Sequence, residues 1–286
     1  MPSLIDIRRR IRSVRNTQQI TKAMKMVSAA KLRRAQDRVI ASRPYAALLR
    51  TVLGNVAAAI AGDETVVQNP LLAHRGEKRI LLTLVTSDKG LAGAFNANLT
   101  KGAQRFIAEH PGAEIRMELL GRKGRDFFRK RGALISGEYL NLAAKVAYPD
   151  LAAIAQKAVA MYCAEEIDAV YVIYNEFKSV MSQRLTVTRV LPVEMPVEEA
   201  PVDYIFEHPP AQMLDALLPR YVELEFYRAQ LESAAAEHAA RMTAMEAATS
   251  NAGDMIDKLT LFMNRVRQAS ITKEIIEVVS GAASAE

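Results

Sequence analysis

The feature that most limits how this chain can fold is the length of helix-compatible sequence at each of its ends. From Leu4 to about Ile60 there is no glycine before Gly54 and no proline between Pro2 and Pro44, so one long helix is expected, with a bend permitted at Pro44. Leu4, Ile7, Ile11, Val14, Gln18 and Thr21 alternate at spacings of three and four, a heptad seam that turns polar at its end. From about Ala211 onward Pro219 is the last proline and only Gly253 and Gly281 interrupt. A helix over that whole stretch would be roughly 100 Å long, wider than an ordinary globular domain of this size. Its seam runs Leu224, Tyr227, Leu231, Ala234 and His238, then, after one four-residue stutter, Met242, Met245, Thr249, Ala252, Ile256, Leu259, Met263 and Val266. Two long seams at opposite ends of one chain imply that residues 1–60 and 211–286 pair as an antiparallel intramolecular coiled coil, a rod carrying the intervening domain on its side.

The middle, about 78–195, changes period. Short β-branched or aliphatic runs (RILLTLVT, EIRMELL, AVYVIYNEF, RLTVTRV) alternate with helical stretches (GAFNANLTKGAQRFIAEH, GRDFFRKRG, YPDLAAIAQKAVAMYCAEEI). That order predicts a largely parallel, Rossmann-like sheet with helices on its faces. LPVEMPVEEAPV, residues 191–202, reads as an extended connector leaving this domain. The turn SDKGLAGAFNANL, residues 87–99, sits where a phosphate-cradling loop would lie, but its glycine spacing fits neither GxxxxGK[ST] nor GxGxxG. It is read as a strand-to-helix turn with no nucleotide, and so is GRKGR at 121–125.

Charge is uneven. Residues 1–50 hold 13 Lys/Arg against Asp6 and Asp37, a local charge of +11 in a chain of net +6, so the first helix is expected to face something acidic. Cys163 is alone, which excludes an internal disulfide, a Cys-based metal cage or a thiol switch within the chain. His74, His110, His208 and His238 are scattered without a metal-site or triad spacing, so no catalytic, cofactor or metal residues are assigned. No apolar run reaches the ~20 residues of a membrane span, and no apolar h-region follows the first arginines, so a soluble cytoplasmic protein is expected. A basic-region zipper on nucleic acid is disfavoured, because the seam starts at Leu4 inside the basic stretch and has its partner seam in the same chain. The last turns pose a separate problem: Ile275, Ile276, Val278, Val279, Ala282 and Ala283 leave little polar face, so this end is expected to be buried in a partner.

The tail ITKEIIEVVSGAAS at 271–284 resembles the C-terminal signature of the γ subunits of F-type ATP synthases of the bacterial type, and IRSVRNTQQITKAMKMVSAAKLRRAQ at 11–36 resembles that family's first helix. SDKGLAGAFN, DYIFE at 203–207, ARMTAMEAATSNA at 240–252 and RQASIT at 267–272 agree in the same order. The resemblance covers nearly the whole chain. It implies a non-catalytic central rotor shaft without cofactors, whose two terminal helices turn inside a ring of three α and three β subunits. The α/β domain would then stand outside, near the membrane rotor, with the ε subunit and the c-subunit ring as further partners. No nucleic acid and no direct membrane insertion are implied, and a regulatory inhibitor protein is left open. The implied location is peripheral, on the cytoplasmic face of the bacterial inner membrane.

Carried over by position, the resemblance gives contacts with the catalytic β subunits to Lys22, Met24, Arg241, Arg267, Gln268 and Thr272. It assigns an apolar bearing to Ile275, Ile276, Val278 and Val279, and a c-ring contact to Tyr204 and Glu207. Val202, Phe206 and the HPP after Glu207 depart from common family residues, and Lys25 replaces a familiar acid after Met24. The paired-cysteine insertion of chloroplast-type relatives has no counterpart here.

Overall fold

A computed structural model describes residues 3–59, 69–144, 146–195 and 208–283. These form α1 (Leu4–Ala59), β1 (Arg79–Val85), α2 (Phe95–Glu109), β2 (Glu114–Leu120), α3 (Arg122–Arg129), β3 (Leu134–Tyr139), α4 (Tyr148–Cys163), β4 (Ala169–Phe177), β5 (Gln183–Leu191) and α5 (Pro210–Ala283). The two helices expected from the terminal segments are present, and α1 runs through Pro44 without a break. The chain divides into two compact units. One comprises residues up to Ala29 together with Arg241 onward, and the other comprises Ala30–Ala240.

In the α/β unit the five strands lie in the order β3-β2-β1-β4-β5. β1 pairs in parallel with β2 and β4, and β2 with β3, while β5 runs antiparallel to β4. The mostly parallel arrangement follows from the helices that separate β1 through β4, since a parallel return needs a crossover. β1 is apolar on both faces because it is covered on both. On one face Leu81, Val85, Val170 and Val172 share a core with Leu151, Ile154, Ala155 and Ala158 of α4, with Leu49, Leu53 and Val56 of α1, and with Leu214, Leu218, Val222 and Phe226 of α5. On the other, Ile80, Leu82, Leu84, Leu119 and Ile173 pack against Phe95, Leu99, Ala103 and Phe106, a helical stripe on α2.

β3 is absent from the strands that the sequence pattern predicts. It is short, carries Gly137 near its centre and has no fully buried residue, so neither length nor alternation marks it.

Two local devices fix the strand ends. At the amino edge, Asp168 accepts the backbone N–H of Arg79 at 2.9 Å and its guanidinium at 2.6 Å, while the Asp168 N–H donates to Arg79 O at 2.7 Å. At the carboxyl edge, Gly121 turns from β2 into α3 at φ 96°, and a Cβ there would lie 2.2 Å from Thr86 O. Only glycine meets both the dihedral and the approach. Beside it the Thr86 hydroxyl donates to Leu120 O at 3.0 Å and accepts the Gly124 N–H at 2.9 Å.

Gly121→Ala is expected to destabilise the α/β unit by about 3 kcal/mol, seen as a thermal midpoint lower by roughly 6–12 °C in circular dichroism. An unchanged midpoint would mean that the turn relaxes freely. The hydrogen bond from Arg79 holds the Asp168 carboxyl below its ordinary value of 3.8. Its stabilising contribution is therefore complete above that value and is lost as pH falls through the lower folded-state value. Urea titrations of Asp168→Asn against the parent should show the full stability difference at neutral pH, shrinking below pH 3.8; a gap that stays constant into acid would refute the assignment.

Candidate functional site

The sheet order places a topological crevice at the carboxyl ends of β1 and β4, where parallel sheets of this kind hold nucleotides. Here α5 fills it. Ser233 Oγ donates to Val85 O at 3.4 Å, the Phe177 N–H donates to Glu232 Oε2 at 3.0 Å, and Ala236 joins the core of the α2 face. The turns beside the crevice close on themselves: Ser87 N donates to Asn96 Oδ1, Arg122 N to Asp88 Oδ1 and Lys123 N to Ser87 O. The amides of Ser87, Arg122 and Lys123, three that could face a phosphate here, are thus committed to protein acceptors. The buried carboxylate Glu118 receives Lys157 Nζ at 2.9 Å, and burial still pushes its carboxyl up. The same group ties β2, β3 and α4 together, with Tyr139 OH donating to Glu118 Oε1 at 3.4 Å and Lys157 Nζ to Ser136 O at 3.0 Å, and among the described residues no cluster of His, Cys, Asp or Glu could hold a metal ion.

The two-helix unit presents a different kind of surface. Its α1 segment starts from a local cap: the Ser3 hydroxyl accepts the Asp6 N–H at 3.2 Å and donates to the Asp6 carboxylate at 2.7 Å. That bond, chiefly, holds the Asp6 carboxyl below its ordinary range. The buried positions on this stretch are Ile7, Ile11, Thr21 and Ser28, facing a side of α5 on which Met245 and Ala252 are buried. Ile7, Ile11, Thr21, Met245 and Ala252 are expected seam positions; Ser28 lies beyond the expected first seam, and past Ile11 the buried residues of this stretch of α1 are small and polar. Lys25 and Glu246 form a 2.7 Å ion pair on the rim. Lys22 and Lys25 line one side of a shallow groove whose other side carries Glu246, Asp254 and Asp257.

Beyond Val266 the seam ends. From Ile271 through Ser280 every residue of α5 is exposed. Ile275, Ile276, Val278 and Val279 are 57–72% exposed and Ile271 is 49% exposed. Isolated surface aliphatics are ordinary, but this many on one helical end is a contiguous apolar patch. Lys273 and Glu277 pair at 3.5 Å along the surface of this helical end.

The residues singled out from sequence do not fall on one surface. Lys22, Arg267, Gln268 and Thr272 are exposed, and the Thr272 hydroxyl donates to Gln268 O at 2.9 Å, which puts the two on one face of α5. Met24 is half-buried beside the seam. Arg241 is only 8% exposed and has a polar contact within the chain, something its place in the sequence gives no sign of. Tyr204 and Glu207 lie outside the described residues. By sequence the first seam ends near Thr21, whereas in the structure buried positions continue at heptad spacing through Ser28, Leu32, Val39, Leu49, Leu53 and Val56. The arginines and lysines between them mask the repeat.

A family model described as ATP synthase matches residues 3–285. The ATP synthase gamma chain of Solibacter usitatus is 73% identical over 286 residues, covering 100% of both chains. That of Pelotomaculum thermopropionicum is 50% identical over 289 residues, again 100% of each. Among solved structures, a chain from the central stalk and c-ring of the Tetrahymena thermophila mitochondrial ATP synthase matches with a TM-score of 0.62 at 26% identity, covering 80% of this chain and 99% of that one. A chain of the Euglena gracilis mitochondrial ATP synthase matches with a TM-score of 0.68, covering 98% and 94%; at 19% identity it speaks to fold alone. With its length matched almost from end to end, the chain belongs to the ATP synthase gamma-chain family.

Proposed function

We propose that the chain is the central-stalk rotor subunit of an F-type proton-translocating ATP synthase, carrying torque between the membrane c-ring and the catalytic ring of α and β subunits. It performs no chemistry itself. Family membership supports the assignment, and the structural observation that carries it is the run of exposed α5 turns after Val266. A helix end so apolar is costly in water and suits an enclosing bearing, against which Ile275, Ile276, Val278 and Val279 can turn without directional bonds. The crevice filled by α5, and the amides already committed to protein acceptors, support a non-catalytic role for the α/β unit.

Torque passes through shape and charge. An asymmetric shaft makes different contacts with chemically identical β subunits, and only such state-dependent contacts can bias their conformational equilibria. Lys22, Met24, Arg241, Arg267, Gln268 and Thr272 are the proposed contact residues. Arg241 would need to leave its present burial or act through its neighbours. The excess of arginine and lysine on α1 provides long-range complementarity to acidic surfaces, steering rotation without fixed buried pairs. Tyr204 and Glu207 are proposed to meet the c-ring, and the ε subunit to join the stalk. The assembly sits peripherally on the cytoplasmic face of the inner membrane; consistent with this, none of the described helices is long and apolar enough to cross a membrane.

Reconstitution with matching α and β subunits tests the reading. The full chain should form a stable complex whose ATP turnover exceeds that of α and β alone, and a chain ending at Arg265 should lose much of that gain. Absence of any association would overturn the assignment. Within the complex, Gln268→Ala with Thr272→Ala should lower turnover by about 5-fold for each hydrogen-bonding side chain removed. Because both side chains are exposed, the melting profile of the isolated chain should not move.

A further inference from the structure

In the two-helix unit Ile7 and Ile11 are buried near the start of α1, but from Gln18 to Ser28 the seam is lined by Gln18, Thr21 and Ser28 and, on α5, by Met245, Thr249 and Ala252. Apolar contact is non-directional, so a seam of small and flexible residues leaves the axial register of the two helices weakly specified. Beside the exposed rim pair Lys25–Glu246, one cluster inside the seam breaks that degeneracy. Thr21 Oγ1 and Thr249 Oγ1 lie 2.7 Å apart, and Thr21 is 9% exposed. Gln18 Nε2 reaches Thr249 O at 3.4 Å, and Gly253 leaves room for that amide, since a Cβ there would lie 3.2 Å from Gln18 Nε2.

We infer that the Thr21–Thr249 hydroxyl pair, backed by Gln18 and Gly253, is a register pin that fixes α1 against α5 along the seam, so that the two helices turn as one body. The inference rests on the rotor reading for its purpose but not for its geometry. Directional polar contacts in apolar seams set register in coiled coils generally. Here a slip would bring Thr21 toward Met245 or Ala252, the neighbouring seam positions, whose side chains offer no oxygen acceptor. The hydroxyl protons can be shared in two ways. Thr21 donates to Gln18 O at 3.0 Å while Thr249 donates across the seam, or Thr249 donates to Met245 O at 2.7 Å while Thr21 donates across. Both orders satisfy both groups. Each threonine also keeps a carbonyl of its own helix, so replacing its partner leaves no buried donor without an acceptor. Thr21 and Thr249 are therefore positioning residues whose interhelical bond can be removed cleanly.

The test uses the full chain with Cys163→Ser and spin labels at Asn16→Cys and Asp257→Cys, both exposed positions. Electron–electron resonance should give one interlabel distance in the parent. In Thr21→Val with Thr249→Val it should give a second population displaced by up to one heptad, about 10 Å. The pair Thr21→Ser with Thr249→Ser keeps the hydroxyls and should restore the single distance. In a double-mutant cycle on unfolding, the valine replacements should couple by about 5-fold in the folding equilibrium. A single unchanged distance in the valine pair, or slippage in the serine pair as well, would overturn the pin. Assembly of the parent with α and β subunits is scored separately: a parent that fails to assemble would count against the rotor reading, while the distances would still decide the pin.

Discussion

Everything in this molecule depends on apolar contact between two helices that are far apart in the chain. The bond from Gln18 to Thr249 joins residues 231 positions apart. Closing such a loop costs entropy that rises only slowly with length, but the cost must be met before any long-range contact forms. The large side chains able to meet it lie mainly in the α/β unit, where Leu53, Val56, Leu218, Val222 and Phe226 are at most 1% exposed. In the two-helix unit the pairing is thinner, and polar contacts take a larger share of the specification. Strength and register are thus supplied by different chemistry in different parts of the same two helices.

The α/β unit shows how a familiar sheet order can be turned to another purpose. A crevice at the switch point is a site only while it is open and its amides are free. α5 occupies the crevice with Glu232, Ser233 and Ala236, and side chains of Asp88 and Asn96 take the nearby amides. Fold alone would have suggested a nucleotide here; the glycine spacing and the helix both argue otherwise.

Much of the fold was legible in the sequence because its signals are periodic. The seam positions Ile7, Ile11, Thr21, Met245 and Ala252 are buried and Val14, Gln18 and Thr249 half-buried, and four of the five strands sit in the runs that change period. β3 escaped because a short edge strand interrupted by glycine carries no period to read. The exposed apolar end of α5 was legible for the same reason as the seams: aliphatic residues crowd around the helix instead of keeping to one stripe. The burial of Arg241 was not legible. It depends on what the fold brings against that turn of α5, and a single charged residue in a heptad pattern looks like solvated surface. The hydroxyl pair was half-visible, since Thr21 and Thr249 each stand on a seam, but their meeting depends on an alignment that spacing does not fix.

The path of α5 over the sheet has a further consequence. Its residues Leu214 through Ala229 belong to the core on one face of the sheet, and Ala236 belongs to the core on the other. One continuous helix therefore contributes to both cores, so loss of α5 would remove side chains from each. Partial opening of the sheet, which in many α/β proteins is a low-energy excursion of an edge or a lid, would here require α5 to leave as well. The two faces of the sheet are in this sense coupled, and the helix that must bear mechanical load is also the one that both cores share.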